Sequence, residues 1–218
     1  MLRHFRLDLV LLGALTLLGA SSLGAGSLGV SSAAAQARTF TTTSGSRVQF
    51  VSDAPLERTT GTSSTVNGSI SLDPTNLSTA TGRITVPVTS LHTGSDLRDE
   101  HLHSSTWLDA PAHPDAVLEI TSVDGATSLT PNQVVRVTLH GTFSIHGRTH
   151  DVSIPAQVRY IPASDELRGQ GITGDLVRAQ AQFTVMLPDY DVSVGPLVRL
   201  KVSDTITVNV TIRLVSGG

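Results

Sequence analysis

Histidine and carboxylate side chains gather in one short stretch of the chain, where metal binding or acid–base chemistry would need them. They are His92, Asp99, Glu100, His101, His103 and His113. If this stretch is helical, Asp99 and His103 share a face, whereas His101 and His103 point apart. A metal site needs three or four converging ligands held by further contacts, and this spacing does not supply them. We therefore predict no metal site and interpret the cluster as solvated or helix-capping, with a metal-binding protein as the least favoured alternative.

A second stretch, residues 169–174, matches the Gly-x-Gly-x-x-Gly pattern of dinucleotide-binding proteins. That chemistry needs a strand before the glycines and a helix after them, so that the pyrophosphate meets a helix N-terminus. Residues 176–187 instead alternate as a strand does, which predicts a glycine-rich hairpin loop. The chain also lacks a Gly-x-Ser-x-Gly nucleophile elbow and a phosphate-binding loop. We therefore predict no catalytic residues, no cofactor and no enzymatic activity.

The elements that must position these residues are predicted from repeated alternation of apolar and polar side chains. The alternation is clearest over residues 135–145, 152–160, 177–187 and 206–214. It is typical of antiparallel strands with one buried face and one solvated face. Such long strands would expose two long edges unless the sheet closed on itself. We predict an all-β fold, a single antiparallel barrel of about eight strands with a short helical insert near 95–110; a two-sheet sandwich is the alternative.

The first 35 residues differ in composition from the rest of the chain. Arg3 and Arg6 precede an apolar run at residues 9–18, and a stretch rich in Gly, Ser and Ala ends at Ala35. This order is typical of a secretory signal peptide, and the run is shorter than the ~20 apolar residues that span a bilayer. We predict a cleaved signal peptide at 1–35, one domain at 36–218, no transmembrane segment, and a periplasmic or secreted location.

Charge and cysteine content exclude further classes of protein. The formal net charge is −3, and lysine and arginine form no cluster. This balance argues against a nucleic-acid partner and against electrostatic docking on anionic membranes. The chain has no cysteine, so it carries neither a disulfide nor a cysteine-linked lipid. An exported domain of this kind must be held together by its core alone.

The polar insert and the strands around it resemble one known family. The insert contains Thr93-Gly94, then Leu97-Arg98-Asp99-Glu100-His101-Leu102, then Trp107 and His113-Pro114, and a later segment runs Leu139-His140-Gly141-Thr142-Phe143 on to Gly147. In this order the pieces resemble the YceI-like family of exported lipid-binding proteins, and the resemblance covers most of residues 36–218. It implies a lipocalin-like eight-stranded barrel that holds a polyisoprenoid or a similar long amphiphile in an elongated apolar cavity.

We expect such a ligand to contact apolar side chains of the barrel lumen and of the insert. The expected contacts are Phe50, Val86, Val88, Leu97, Leu102, Trp107, Val137, Leu139, Phe143, Phe183 and Val208. Arg98, Asp99 and His101 are assigned to the structure of the insert, with Arg98 expected to pair with a carboxylate that ties the insert to the barrel. Whether the insert plugs the core or covers a ligand is left open, because the same apolar contacts serve both roles.

The leading functional prediction is an exported binding protein that sequesters or carries a long amphiphilic lipid. The alternative is a secreted stress-protective or structural barrel without a dedicated ligand, in which large apolar side chains would fill the lumen. The predicted partner is the lipid itself, and nucleic acid is excluded. A homodimer is left open.

Overall fold

The computed structural model describes residues 36–217, and these form an all-β fold with two short helices. The strands are β1 (Arg38–Thr42), β2 (Arg47–Asp53), β3 (Arg58–Ser63), β4 (Asn67–Asp73), β5 (Asn76–Pro87), β6 (Asp115–Asp124), β7 (Val134–Ile145), β8 (Arg148–Ile161), β9 (Leu176–Met186) and β10 (Thr205–Ser216). The helices are α1 (Asp96–His103) and α2 (Asp165–Gly169), with single 3-10 turns at Val88–Ser90 and Leu187–Tyr190. The predicted signal peptide, residues 1–35, lies outside the described residues.

The strands close into an eight-stranded antiparallel barrel, as predicted. β4 to β10 pair with their neighbours around the ring, and β1 closes it by pairing with both β4 and β10. β10 pairs along its start with β2 and at its end with β1, so β1 and β2 act as one interrupted strand. β3 and β4 form a second interrupted strand in the same way, since β3 pairs with β2 and β4 with β1. Closure removes the long free edges that an open sheet of these strands would expose.

The connections divide between two ends of the barrel. One end, which we call the mouth, carries the β2–β3 turn, the whole insert between β5 and β6, the β7–β8 turn, and the long β9–β10 connection. The β7–β8 turn is tight because His146 and Gly147 both take positive φ, at 52° and 71°. The favoured two-residue hairpin turns require positive φ, which Gly147 adopts without a steric cost.

The opposite end is closed by packed side chains and a polar cluster. Asp175 accepts hydrogen bonds from the Tyr160 hydroxyl at 2.8 Å and from the backbone N–H of Ala163 at 2.8 Å, and it forms an ion pair with Arg38. Burial opposes ionisation of Asp175, but these hydrogen bonds and the Arg38 charge together lower its pKa. Burial is also the main cause of the raised pKa of Tyr160. The cluster ties β1, β8 and the start of β9 together.

Residues 169–174 form no dinucleotide site. Helix α2 ends at Gly169, the first glycine of the pattern, and strand β9 begins at Leu176, after the last one. The order of strand and helix is therefore the reverse of the one that pyrophosphate binding requires. Within residues 36–217, no helix combines the length and the hydropathy needed to cross a membrane.

Candidate functional site

An apolar cavity of about 370 Å³ occupies the mouth half of the barrel. This volume lies within the ~300–1,000 Å³ typical of ligand pockets. Strands contribute most of its wall through their inward-facing positions: Val48, Phe50, Ile84, Val86, Ala116, Leu118, Phe143, Ile145, Phe183, Val185, Ile206, Val208 and Val210. These residues share one face because successive side chains of a strand point to opposite sides of the sheet.

The strand register sets the neighbours on this wall. Val208 of β10 lies opposite Phe50 of β2 on one side and opposite Phe183 of β9 on the other. Phe143 packs edge to face with Phe183, with ring centroids 5.4 Å apart. The wall is thus aliphatic with a few aromatic rings, which suits a hydrocarbon chain.

The eleven predicted ligand contacts fall into three groups, the last of which is Leu97 alone. Seven of them lie together on the cavity wall: Phe50, Val86, Leu102, Trp107, Phe143, Phe183 and Val208. Val88 and Val137 are buried in the core instead, and Leu139 packs partly buried against it; none of the three lines the cavity. The closed half of the barrel is filled by Phe40, Val137, Tyr160, Val177, Ile212 and Leu214. The lumen is therefore half packed and half open.

The expectation that Leu97 faces inward is wrong, because its side chain is 64% exposed. The inward face of α1 belongs to Arg98 and Leu102, which are one turn apart and both line the cavity. Polar contacts fix this face. Arg98 pairs with Glu57 at 3.2 Å, as expected of a residue tying the insert to the barrel, and donates to the Thr59 hydroxyl at 3.3 Å.

Asp99 organises the start of the insert. Its buried carboxylate accepts hydrogen bonds from the backbone N–H of Thr93 at 2.7 Å and from the Thr93 hydroxyl at 2.6 Å, with His92 Nδ1 at 3.2 Å. Burial opposes ionisation, but these hydrogen bonds together lower the pKa of Asp99. Ser95 stands at the N-cap position of α1 but makes no capping hydrogen bond through its side chain.

The insert also completes the barrel where β3 lacks a strand neighbour. Thr62 of β3 and His92 exchange backbone hydrogen bonds at 2.8 and 2.9 Å, which forms a single bridge in place of a ladder. His103 Nε2 donates to the carbonyl of Leu91 at 3.0 Å and holds α1 against this bridge. His101 lines the cavity at its mouth. His92, His101 and His103 therefore have different roles. In the part of the chain described, no three His, Asp or Glu side chains are placed to hold a metal ion.

Part of the site was missed by sequence reasoning. The β9–β10 connection supplies Leu187, Val198, Lys201 and Val202 to the cavity, and the β2–β3 turn and β3 supply Glu57 and Thr59. The sequence did carry a signal for the β9–β10 connection, namely the apolar residues Leu197, Val198 and Leu200 in a segment without alternation. A loop that only crosses the surface does not need such apolar residues.

Comparison with known proteins identifies the fold family. A sequence model of the YceI-like domain matches residues 41–214. The chain belongs to the YceI-like family. No curated protein gives a significant match.

Several solved structures share this barrel at low sequence identity. The crystal structure of Burkholderia cenocepacia BcnA is 17% identical, with a TM-score of 0.62 over 77% of this chain and 95% of that one. A polyisoprenoid binding domain from Saccharophagus degradans is 17% identical, with a TM-score of 0.64 over 84% of this chain and 100% of that one. The Campylobacter jejuni YceI protein is 17% identical, with a TM-score of 0.58 over 72% and 84%. At this identity the likeness shows the fold.

The mouth of this YceI-like barrel differs from its depth in polarity. Glu57, Arg98, His101 and Lys201 line the cavity from the mouth segments, and Ser52 and Thr59 line it from the ends of β2 and β3 that adjoin the mouth. Deeper positions on the strands are hydrocarbon. The site therefore offers an apolar chamber under a ring of hydrogen-bonding and charged groups.

Proposed function

We propose that the protein is an exported binding protein that sequesters or carries a long amphiphilic lipid, of the polyisoprenoid class, and that it catalyses no reaction. The observation that carries this proposal is the apolar cavity of about 370 Å³ with polar groups confined to its mouth. Membership of the YceI-like family supports it, and so does the description of the related Saccharophagus domain as polyisoprenoid binding.

The energetics favour carriage over permanent storage. Each buried CH₂ contributes ~0.8 kcal/mol relative to water, so a long chain binds the cavity far better than it stays dissolved. A membrane satisfies the same burial equally well, so the net preference between barrel and bilayer is small. Release to a membrane consequently requires no energy source.

The polarity of the site orients the ligand. The hydrocarbon tail lies among Phe50, Phe183 and Val208, whose side chains offer no hydrogen-bond partner to a polar group. The polar end lies at the mouth beside Arg98 and Lys201, where hydrogen-bond donors and solvent are both available. An amphiphile with one polar end fits this arrangement better than a symmetrical hydrocarbon.

Export forms part of the proposal, and it depends on residues 1–35. The intact mass of the protein recovered from the periplasm or the culture medium tests it directly. We expect the mass of a chain whose first residue is Gln36. A mass that retains residues 1–35 would contradict a cleaved signal peptide.

Extraction of the purified protein with organic solvent, followed by mass spectrometry, tests the binding function. We expect a long-chain lipid in near-stoichiometric amount, absent from a mock purification of cells that lack the protein. The stripped protein should then take up an added isoprenoid alcohol. Neither co-purified lipid nor uptake would overturn the proposal and favour a structural barrel without a ligand.

A further inference from the structure

Four leucines stand exposed at the mouth of the cavity; we call Leu56, Leu97, Leu197 and Leu200 the leucine rim. Their side chains are 69%, 64%, 91% and 51% exposed. Each is a neighbour in the chain of a residue on the cavity wall, namely Glu57, Arg98, Val198 and Lys201. The leucine rim therefore lies directly outside the ring of polar and charged groups at the mouth of the cavity.

The three segments that carry the rim are joined to one another. The backbone N–H of Leu56 donates to the carbonyl of Leu200 at 2.8 Å, which links the β2–β3 turn to the β9–β10 connection. The Glu57–Arg98 ion pair links the same turn to α1. The leucine rim is thus one assembled surface, and exposing large apolar side chains in a group marks an interaction site.

We propose that the leucine rim inserts into the surface of a neutral phospholipid membrane, so that the cavity opens directly onto the bilayer. The inference rests on the proposed function, because a lipid-filled cavity gives the mouth a reason to meet a membrane. An amphiphile can then pass between cavity and bilayer along the rim without exposing its tail to water. That exposure would cost ~0.8 kcal/mol of free energy per CH₂.

The backbone of the rim suits a lipid interface better than a peptide partner. Within residues 195–202, the N–H groups of Val198 and Arg199 donate to Gly195, and those of Lys201 and Val202 donate to Val198. A segment that enters the interface must satisfy its own backbone groups, since lipid offers few partners. A peptide that adds to a sheet would instead need a free strand edge, and these segments donate inward.

The charges around the rim select the kind of membrane. Residues 53–58, 96–100 and 199–204 together contain four arginines and lysines against six aspartates and glutamates. Several are paired with each other, as in Arg58–Asp53 and Arg199–Asp204. A mouth of this balance gains nothing from anionic lipid, for which clustered basic residues are needed. Insertion of leucine is then the driving force, and it is insensitive to salt.

Flotation with phosphatidylcholine vesicles tests the proposal, using the exported protein and the double variant Leu197→Ser with Leu200→Ser. Wild type should float at low and high salt alike, and the variant should bind about 10-fold more weakly or worse, because it loses two of the inserting side chains. Val134→Ser is the matched control, since Val134 is 48% exposed at the closed end. It should float like wild type.

Three results would overturn membrane insertion: equal flotation of wild type and the double variant, binding that requires anionic lipid and fails in salt, or a dimer in sedimentation velocity that the double variant dissolves while neither form floats. The lipid content of each protein is measured in the same samples. Wild type that carries lipid but does not float would refute the docking surface and leave the carrier function standing. Wild type that floats but never holds lipid would refute the carrier function and leave the docking surface standing.

Discussion

The ring of Phe50 lies directly against Gly61, its cross-strand partner on β3. A Cβ atom at Gly61 would stand 2.1 Å from Cε1 and 2.2 Å from Cζ of that ring. Only a residue without a side chain leaves room for the ring in this position. Gly61 therefore lets the Phe50 ring lie against β3 instead of projecting further into the cavity.

Gly61→Ala is expected to push the Phe50 ring into the cavity. The overpacking should lower the free energy of unfolding by about 1–3 kcal/mol and reduce the lipid recovered per protein. Gly169→Ala is the control, because a Cβ there meets no atom within 4 Å. Urea unfolding measures the first effect and solvent extraction the second. Unchanged lipid content with a clear loss of stability would show that the ring has moved elsewhere.

Val208→Phe is expected to fill the space between Phe50 and Phe183 and displace the lipid tail. The neighbouring substitution Thr207→Phe adds the same ring to the opposite face of β10 and should leave the lipid content as it is. Mass spectrometry of extracts from the two variants makes the comparison. Equal lipid content in both would mean that the tail does not reach this depth.

The faces of the strands were predictable from the sequence, and depth within the barrel was not. Val137 and Phe143 share a face of β7 by simple alternation, and both were predicted to contact the ligand. Phe143 lines the cavity, whereas Val137 is buried under the packed side chains of the closed end. Periodicity of two decides which side of a sheet a residue occupies. How far the lumen is filled depends on side chains that meet from all eight strands.

The short helix of the insert was harder to orient than the strands. α1 has only two turns and few apolar residues, so no stripe marks its buried face. Its orientation comes from contacts distant in sequence, such as Arg98 with Glu57. The expected carboxylate partner for Arg98 was correct, whereas the expected inward position of Leu97 was not. The β9–β10 connection has no period at all, and its part in the cavity depends on where the ends of β9 and β10 place it.

Asp175→Asn should destabilise the closed end without emptying the cavity. The substitution removes the charge that pairs with Arg38. It also replaces one of the two carboxylate oxygens, which accept from Tyr160 and from Ala163, with an amide donor, at a cost of about 1–3 kcal/mol. Because folding lowers the pKa of Asp175, the wild-type protein has this stability at neutral pH and loses it as pH falls below about 4. The variant should therefore show a weaker decline in stability with acid. Urea titrations at several pH values measure the slope, and a slope as steep as that of wild type would assign the acid sensitivity to other carboxylates, Asp99 first.

Trp107 should report directly on the contents of the cavity. It is the single tryptophan of the chain, and like Leu102 it lines the cavity from the insert. Stripping the lipid lets water reach the indole, so the emission maximum should shift to longer wavelength and return when an isoprenoid alcohol is added. A lipid brominated along its chain should quench the emission at stoichiometric amounts.

Leu102→Ala should leave the emission of Trp107 responsive to lipid while speeding release of the ligand, because it removes an apolar side chain from the insert at the cavity mouth. If the insert were instead a plug belonging to the core, Leu102→Ala would lower the stability by about 2–5 kcal/mol and leave the release rate unchanged.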